Sequence, residues 1–223
     1  ISEAAGVNGD KTSVTVVNPT SFARHEVIYL DYVPGMRVQG DYAQQVVDTL
    51  RGGKKLAVDG VEIPPYSSVV LTLEAGELPQ GSAFTRDGDS LETPFAKIRF
   101  TENGYMSSFW DIAAERELKG EGYALNTFLV AEDVPAEWDN WDVDADMEMK
   151  FRDCAHLISS ETVCDGPVEL RIRNRYQLTE KSTITQDMIF SASSPIVRFE
   201  TLMDWQDDHR FLKTAFDTSI FSD

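Results

Sequence analysis

Phe95-Ala96-Lys97-Ile98-Arg99-Phe100-Thr101, then Glu102, then Asn103-Gly104, then Tyr105-Met106-Ser107-Ser108-Phe109-Trp110-Asp111 is the stretch on which the reading of the fold turns. Asn-Gly adopts φ > 0 easily and closes two-residue hairpins, so it predicts two strands folded back on each other. Downstream, 168–176, 182–190 and 196–202 carry the β-branched and aromatic enrichment of strands, separated by turns at Asp165-Gly166-Pro167 and Ser193-Ser194-Pro195. Upstream, 12–17 and 24–30 alternate with period two around an Asn18-Pro19-Thr20-Ser21 turn, and 69–73 follows the extended entry fixed by Pro64-Pro65-Tyr66. Residues 42–50 fit a short helix, with Tyr42, Val46 and Leu50 four apart, and fit a strand equally well between Gly40 and Gly52-Gly53. Residues 74–91 hold three glycines, Pro79 and several charges, which makes them the expected linker. The recurring turns predict an all-β chain of packed antiparallel sheets.

Composition narrows the function classes. Twenty Lys and Arg against 38 Asp and Glu give a formal charge of −18, so a phosphate backbone or an anionic bilayer would repel the chain. No nucleic-acid or membrane partner is expected. With 42% hydrophobic residues the chain has the material for a core, unlike a disordered acidic tract. No apolar run is long enough to span a bilayer, and Ile1-Ser2-Glu3-Ala4 lacks the basic and apolar regions of a signal peptide. Two cysteines, and no Asn-x-Ser/Thr acceptor because Pro19 follows Asn18, favour a reducing, cytoplasmic setting. The missing initiator Met and the strand pattern of 219–222 point to a piece of a longer chain.

Familiar catalytic constellations are scarce. His25, His156 and His209 form no His-x-x-x-His pair, no Gly-x-Ser-x-Gly occurs, and Gly52-Gly53-Lys54-Lys55 lacks the frame of a phosphate loop. Cys154, His156 and Cys164 could give three zinc ligands, but a structural site needs a fourth, so two reduced cysteines are expected instead. Asp142, Asp144 and Asp146 open like a calcium loop with Asp153 in the twelfth place, yet Met147 stands where that loop needs glycine. Neither zinc nor calcium is expected on this chain. Trp138 and Trp141 sit among carboxylates in 132–146, which suits a sugar: its C–H faces stack on indole while its hydroxyls bond Asp. The competing reading makes both tryptophans core anchors of a long loop.

In order along the chain stand Val17-Asn18-Pro19-Thr20-Ser21-Phe22-Ala23-Arg24, Ile63-Pro64-Pro65-Tyr66, Glu92-Thr93-Pro94-Phe95 and Asn103 to Asp111, with Arg116-Glu117-Leu118 after them. Leu125-Asn126, Glu132-Asp133-x-Pro135, Trp138-Asp139-Asn140-Trp141-Asp142, Ser182 to Asp187, Asp204-Trp205 and His209-Arg210-Phe211-Leu212-Lys213 complete the series. Taken together this series resembles the C-terminal β region of glycoside hydrolase family 38, the retaining α-mannosidases. The Trp-Asp-x-Trp-Asp run resembles the bacterial and cytosolic type.

The resemblance implies a small β domain at 1–77 and, at 78–223, the first part of a large galactose-mutarotase-like antiparallel supersandwich. It places the aspartate nucleophile and the catalytic zinc in an α/β domain preceding Ile1, so no catalytic residue and no cofactor is expected on this chain. It implies that the parent enzyme cleaves α-mannosides of oligosaccharides, that this piece alone is inactive, and that Asp139, Trp141 and Asp142 contact substrate. Within 138–142, Trp138 is expected to be the more buried tryptophan. A stand-alone carbohydrate-binding module is the alternative, and the oligomeric state, a homo-oligomer included, stays open.

Overall fold

The computed structural model of the chain describes residues 12–138 and 141–220. Among the described residues the chain is all-β apart from one helical turn, and it divides into two compact units. The first comprises residues up to Phe84 with 163–171 and 190–196; the second holds the remainder. None of its described helices is long and apolar enough to cross a membrane.

The first unit is built on β1 (Ser13–Asn18), β2 (Ile28–Asp31), β3 (Met36–Val38), β4 (Ala43–Asp48), β5 (Lys54–Asp59) and β6 (Ser67–Ala75). These make two antiparallel three-stranded sheets, ordered β1-β6-β3 and β2-β5-β4. Period-two alternation sorts their faces: Leu71 and Leu73 are buried while Val70 faces solvent. Val16, Ile28, Leu30, Val38, Leu56 and Val58 form the core between them. Asn18 holds the corner after β1, its buried amide donating to the carbonyls of Phe22, Ile63 and Pro64, while Thr20 N–H donates to its Oδ1 at 3.0 Å.

The ambiguous 42–50 stretch is a strand that pairs antiparallel with β5 from Ala43 to Asp48, and a side chain supports its outer side. Gln44 accepts from Val38 N–H at 2.7 Å and donates to Val38 O at 2.8 Å, which satisfies that backbone as a neighbouring strand would. Gly52 and Gly53, both at φ +85, then turn β4 into β5. Gln45 plays a similar part for the distant segment of this unit: its Oε1 accepts from the N–H groups of Val168 and Glu169, and its Nε2 donates to Glu169 O. Gly166 is required there, because a Cβ would lie 2.5 Å from the Gln45 side chain. Glu169 and Arg171, each with 1% of its side chain exposed, form an ion pair beside Tyr29, whose hydroxyl donates to Glu169.

The expected linker is more ordered than its composition implies. Gly76 to Ser82 is exposed and has no regular structure, but Phe84 and Leu91 are buried. They flank the hairpin of β7 (Thr85–Asp87) and β8 (Ser90–Glu92). With β9 (Ala96–Phe100), β10 (Met106–Asp111) and β11 (Arg116–Glu117) these strands make an antiparallel meander in the second unit. Its central turn has three residues rather than two: Thr101 N–H donates to Tyr105 O, and Gly104 adopts φ +75. The Asn103 side chain is used elsewhere, donating to Ala155 O and accepting from Leu157 N–H, both at 2.8 Å.

The chain continues through β12 (Thr127–Glu132), α1 (Met147–Lys150), β13 (Arg152–Asp153), β14 (His156–Cys164), β15 (Glu169–Gln177), β16 (Thr183–Ser191), β17 (Val197–Asp204) and β18 (Arg210–Ala215). These give a sheet β13-β12-β18 and a sheet β14-β15-β16-β17. Tyr105, Phe128, Tyr176, Leu178 and Ile184 are a core of the second unit. The Tyr105 and Tyr176 rings stack at 5.7 Å, and Phe128 meets Tyr176 edge-on at 5.2 Å.

Candidate functional site

Strand register carries the core of the second unit outward into a groove. In β13-β12-β18, Arg152 lies opposite Val130, which lies opposite Leu212, and Glu132 lies opposite Arg210. These residues share a face with Phe128, because alternate residues of a strand point the same way. At the Phe128 end that face is buried in the aromatic core; it opens at Arg152, one row on, and at Glu132 and Arg210, two rows on. The opposite face packs Leu129, Ala131 and Phe211 against Met147 and Phe151. From Phe128 to Ala131 β12 is therefore apolar on both sides, and it turns charged at its last residue.

The other wall is the turn from β15 to β16 together with the loop before β18. Ser182 and Thr179 both donate their hydroxyls to the Asp207 carboxylate, and Gln206 N–H donates to Ser182 Oγ at 2.9 Å. The Ser182 hydroxyl first, and Thr179 after it, hold Asp207 below the ordinary carboxylate value of 3.8. The aspartate is thus a fixed anion that ties two segments together. It is not poised to deliver a proton.

Between these walls lies a cavity of about 1070 Å³. Four cations, Lys150, Arg152, Lys181 and Arg210, and four carboxylates, Glu132, Glu180, Asp207 and Asp208, line it. Lys150 pairs with Asp146 at 3.1 Å, and Arg152 donates to the carbonyls of Met149 and Phe151. Among the described residues, Arg152, Lys181, Arg210, Glu132, Glu180 and Asp208 enter no ion pair.

Two of the three sequence-predicted zinc ligands line this groove and the third lies elsewhere. Cys154 and His156 are in it; Cys164 is buried in the first unit beside Gln45 and Val168. Burial raises the Cys154 thiol and pushes Cys164 up to about 12, so both are thiols at neutral pH. Among the described residues no three His, Cys, Asp or Glu side chains gather in a way that could hold a metal ion. The acidic run is engaged differently from a cation loop: Asp142 accepts from Val143 N–H, Asp144 from Ala136 N–H, and Asp146 pairs with Lys150. Met147, in the glycine position of a calcium loop, is a buried plug under Phe151.

The tryptophan loop is at the surface. Trp138 is 70% exposed and Trp141 89% exposed, so neither anchors the loop in the core, and Trp138 is only marginally the more buried. Trp141 and Asp142 both donate their N–H groups to Trp138 O, at 2.8 and 3.0 Å, forming a tight turn around a Trp138 at φ +59. Asp139 lies outside the described residues. The groove ions were not singled out by their sequence spacing, since they come from segments far apart in the chain. Only Glu132 and Arg210 fall in runs that the family series picked out.

A family model described as the glycosyl hydrolases family 38 C-terminal domain matches residues 91–223. The chain belongs to glycosyl hydrolase family 38. Every residue lining the groove, like the tryptophan loop, falls inside the family 38 match. The chain is also similar to alpha-mannosidase 2C1 of Mus musculus, 29% identical over 150 residues, and to alpha-mannosidase 2C1 of Homo sapiens, 28% identical over 150 residues. Each alignment takes in 65% of this family 38 chain and 14% of the relative, so the chain spans a small part of the curated relatives it matches.

Proposed function

We propose that this chain is the non-catalytic C-terminal β portion of a retaining, cytoplasmic-type α-mannosidase, with 1–77 as its small β domain and 78–223 as the first part of its large sandwich. The observation that carries the reading is the family 38 match over 91–223, in a region where the similar proteins are α-mannosidases. Asp139, Trp141 and Asp142 are the side chains assigned to the rim of the mannoside pocket of the whole enzyme. The exposure of the Trp141 ring supports that assignment, since an indole face free of packing is available to a pyranose.

Chemistry supports the non-catalytic role. Retaining hydrolysis needs two carboxyl groups about 5 Å apart, one as nucleophile and one as acid/base. Two buried carboxylates are committed to guanidinium groups: Glu169 to Arg171, and Asp187 to Arg173 through two bonds at 2.7 and 2.9 Å. Shut away from water and bonded to a guanidinium, neither carboxylate is open to a substrate. In this reading the nucleophile and zinc are supplied from outside residues 1–223.

An activated aryl α-mannoside with added zinc tests this. The isolated chain is expected to give no turnover. Hydrolysis above a no-enzyme control that persists through repurification would overturn the non-catalytic reading.

A further inference from the structure

We propose that the groove beside Glu132 binds a neutral oligosaccharide through ionic side chains that enter no ion pair among the described residues. Arg152, Lys181 and Arg210 supply donors, and Glu132, Glu180 and Asp208 supply acceptors; among the described residues none of the six is in an ion pair. The signs balance in the groove although the chain as a whole carries −18. An oxyanion drawn to the guanidinium groups therefore meets carboxylates, and a cation meets guanidinium groups, each at the cost of like-charge contact.

A hydroxyl group escapes that conflict, because it accepts from Arg or Lys and donates to Asp or Glu. A ligand bearing many hydroxyls and no net charge can use both sets together. The cavity, about 1070 Å³, lies just above the roughly 300–1,000 Å³ typical of small-molecule sites, which leaves room for more than one ring. Its far wall is held by the Asp207 clamp, so the site is largely formed before a ligand arrives.

The choice of mannose as the sugar rests on the α-mannosidase reading; the groove itself does not. The 223-residue chain is titrated with a linear α-mannotriose, with a gluco-oligosaccharide of equal length and with sulfate, followed by calorimetry or amide shifts. Saturable 1:1 binding of a neutral oligosaccharide is expected, with Arg210→Ala and Arg152→Ala each weakening it about ten-fold through loss of charge-assisted bonds. Lys181→Ala, on an exposed turn, gives the same direction if an arginine variant fails to fold, and Val70→Ala, an exposed position outside the groove lining, leaves groove binding unchanged. Preference for the gluco-oligosaccharide would support the groove and count against the mannosidase reading. No saturable binding of either sugar, tighter binding of sulfate, or sugar binding lost with Trp141→Ala and kept in all three groove variants would overturn the proposal. Turnover of the aryl mannoside, by contrast, removes only the non-catalytic reading.

Discussion

The same residue types serve opposite ends in the two units. In the first, Glu169 and Arg171 are enclosed with each other and with Tyr29, each with 1% of its side chain exposed. In the second, Glu132 and Arg210 face each other across two strands and make no ion pair among the described residues. A carboxylate and a guanidinium shut away from water must satisfy one another, because an unpaired buried charge costs several kcal/mol. At the edge of a groove water satisfies them, and the pair stays available to a ligand. Burial, more than the identity of the side chains, separates a structural charge from a recognition charge here.

The largest expected effect breaks the enclosed pair. Arg171→Met leaves Glu169 buried beside Tyr29 without its cation, and a loss of about 3–5 kcal/mol is expected in denaturant unfolding. Replacing both partners by apolar residues, Glu169→Leu with Arg171→Met, should recover most of it. A double variant as unstable as the single one would mean that packing of the arginine stem, not charge, dominates at this place.

A smaller effect is expected at the Asp207 clamp. Its folded value lies below the ordinary 3.8, so its contribution is complete above pH 3.8 and fades as pH falls through the lower, folded value. Asp207→Asn should melt below the parent chain at pH 7, with the two melting curves converging as the pH drops under 3.8. A gap that persists unchanged into strong acid would take the clamp out of the comparison. The smallest effect belongs to the loop: Trp141→Ala should shift stability by no more than about 0.5 kcal/mol, as surface changes do. A loss of core size would place the ring in packing instead of at the surface.

Much of the fold was legible because it is written in local periods. The strands at 69–73, 95–101 and 168–176 follow from alternation and turn residues alone, and each is present within a residue or two of its expected ends. What escaped was decided at long range. Residues 42–50 have no local preference, and pairing with β5, backed by the Gln44 amide against Val38, makes them a strand. The interleaving of 163–171 with the first unit turns on Gln45 and on the space that Gly166 leaves for it. The site divides in the same way. The tryptophan run announces itself by composition, whereas the groove joins β12, β13, a hairpin turn and the entry to β18. Its charges share no spacing, so no sequence period could have collected them.

Gln45 also sets a clock on synthesis. Its amide oxygen is shared by Val168 and Glu169, 124 residues later in the chain for the more distant of the two. At roughly 5–20 residues per second a ribosome needs about 6 to 25 s to make that interval. During that time the first six strands can pair among themselves, but the Gln45 side chain has only water, or a wrong partner, to satisfy it. The first unit reaches its final form only after most of the second has been translated, and a nascent chain stalled before residue 163 holds an amide waiting for a backbone that does not yet exist.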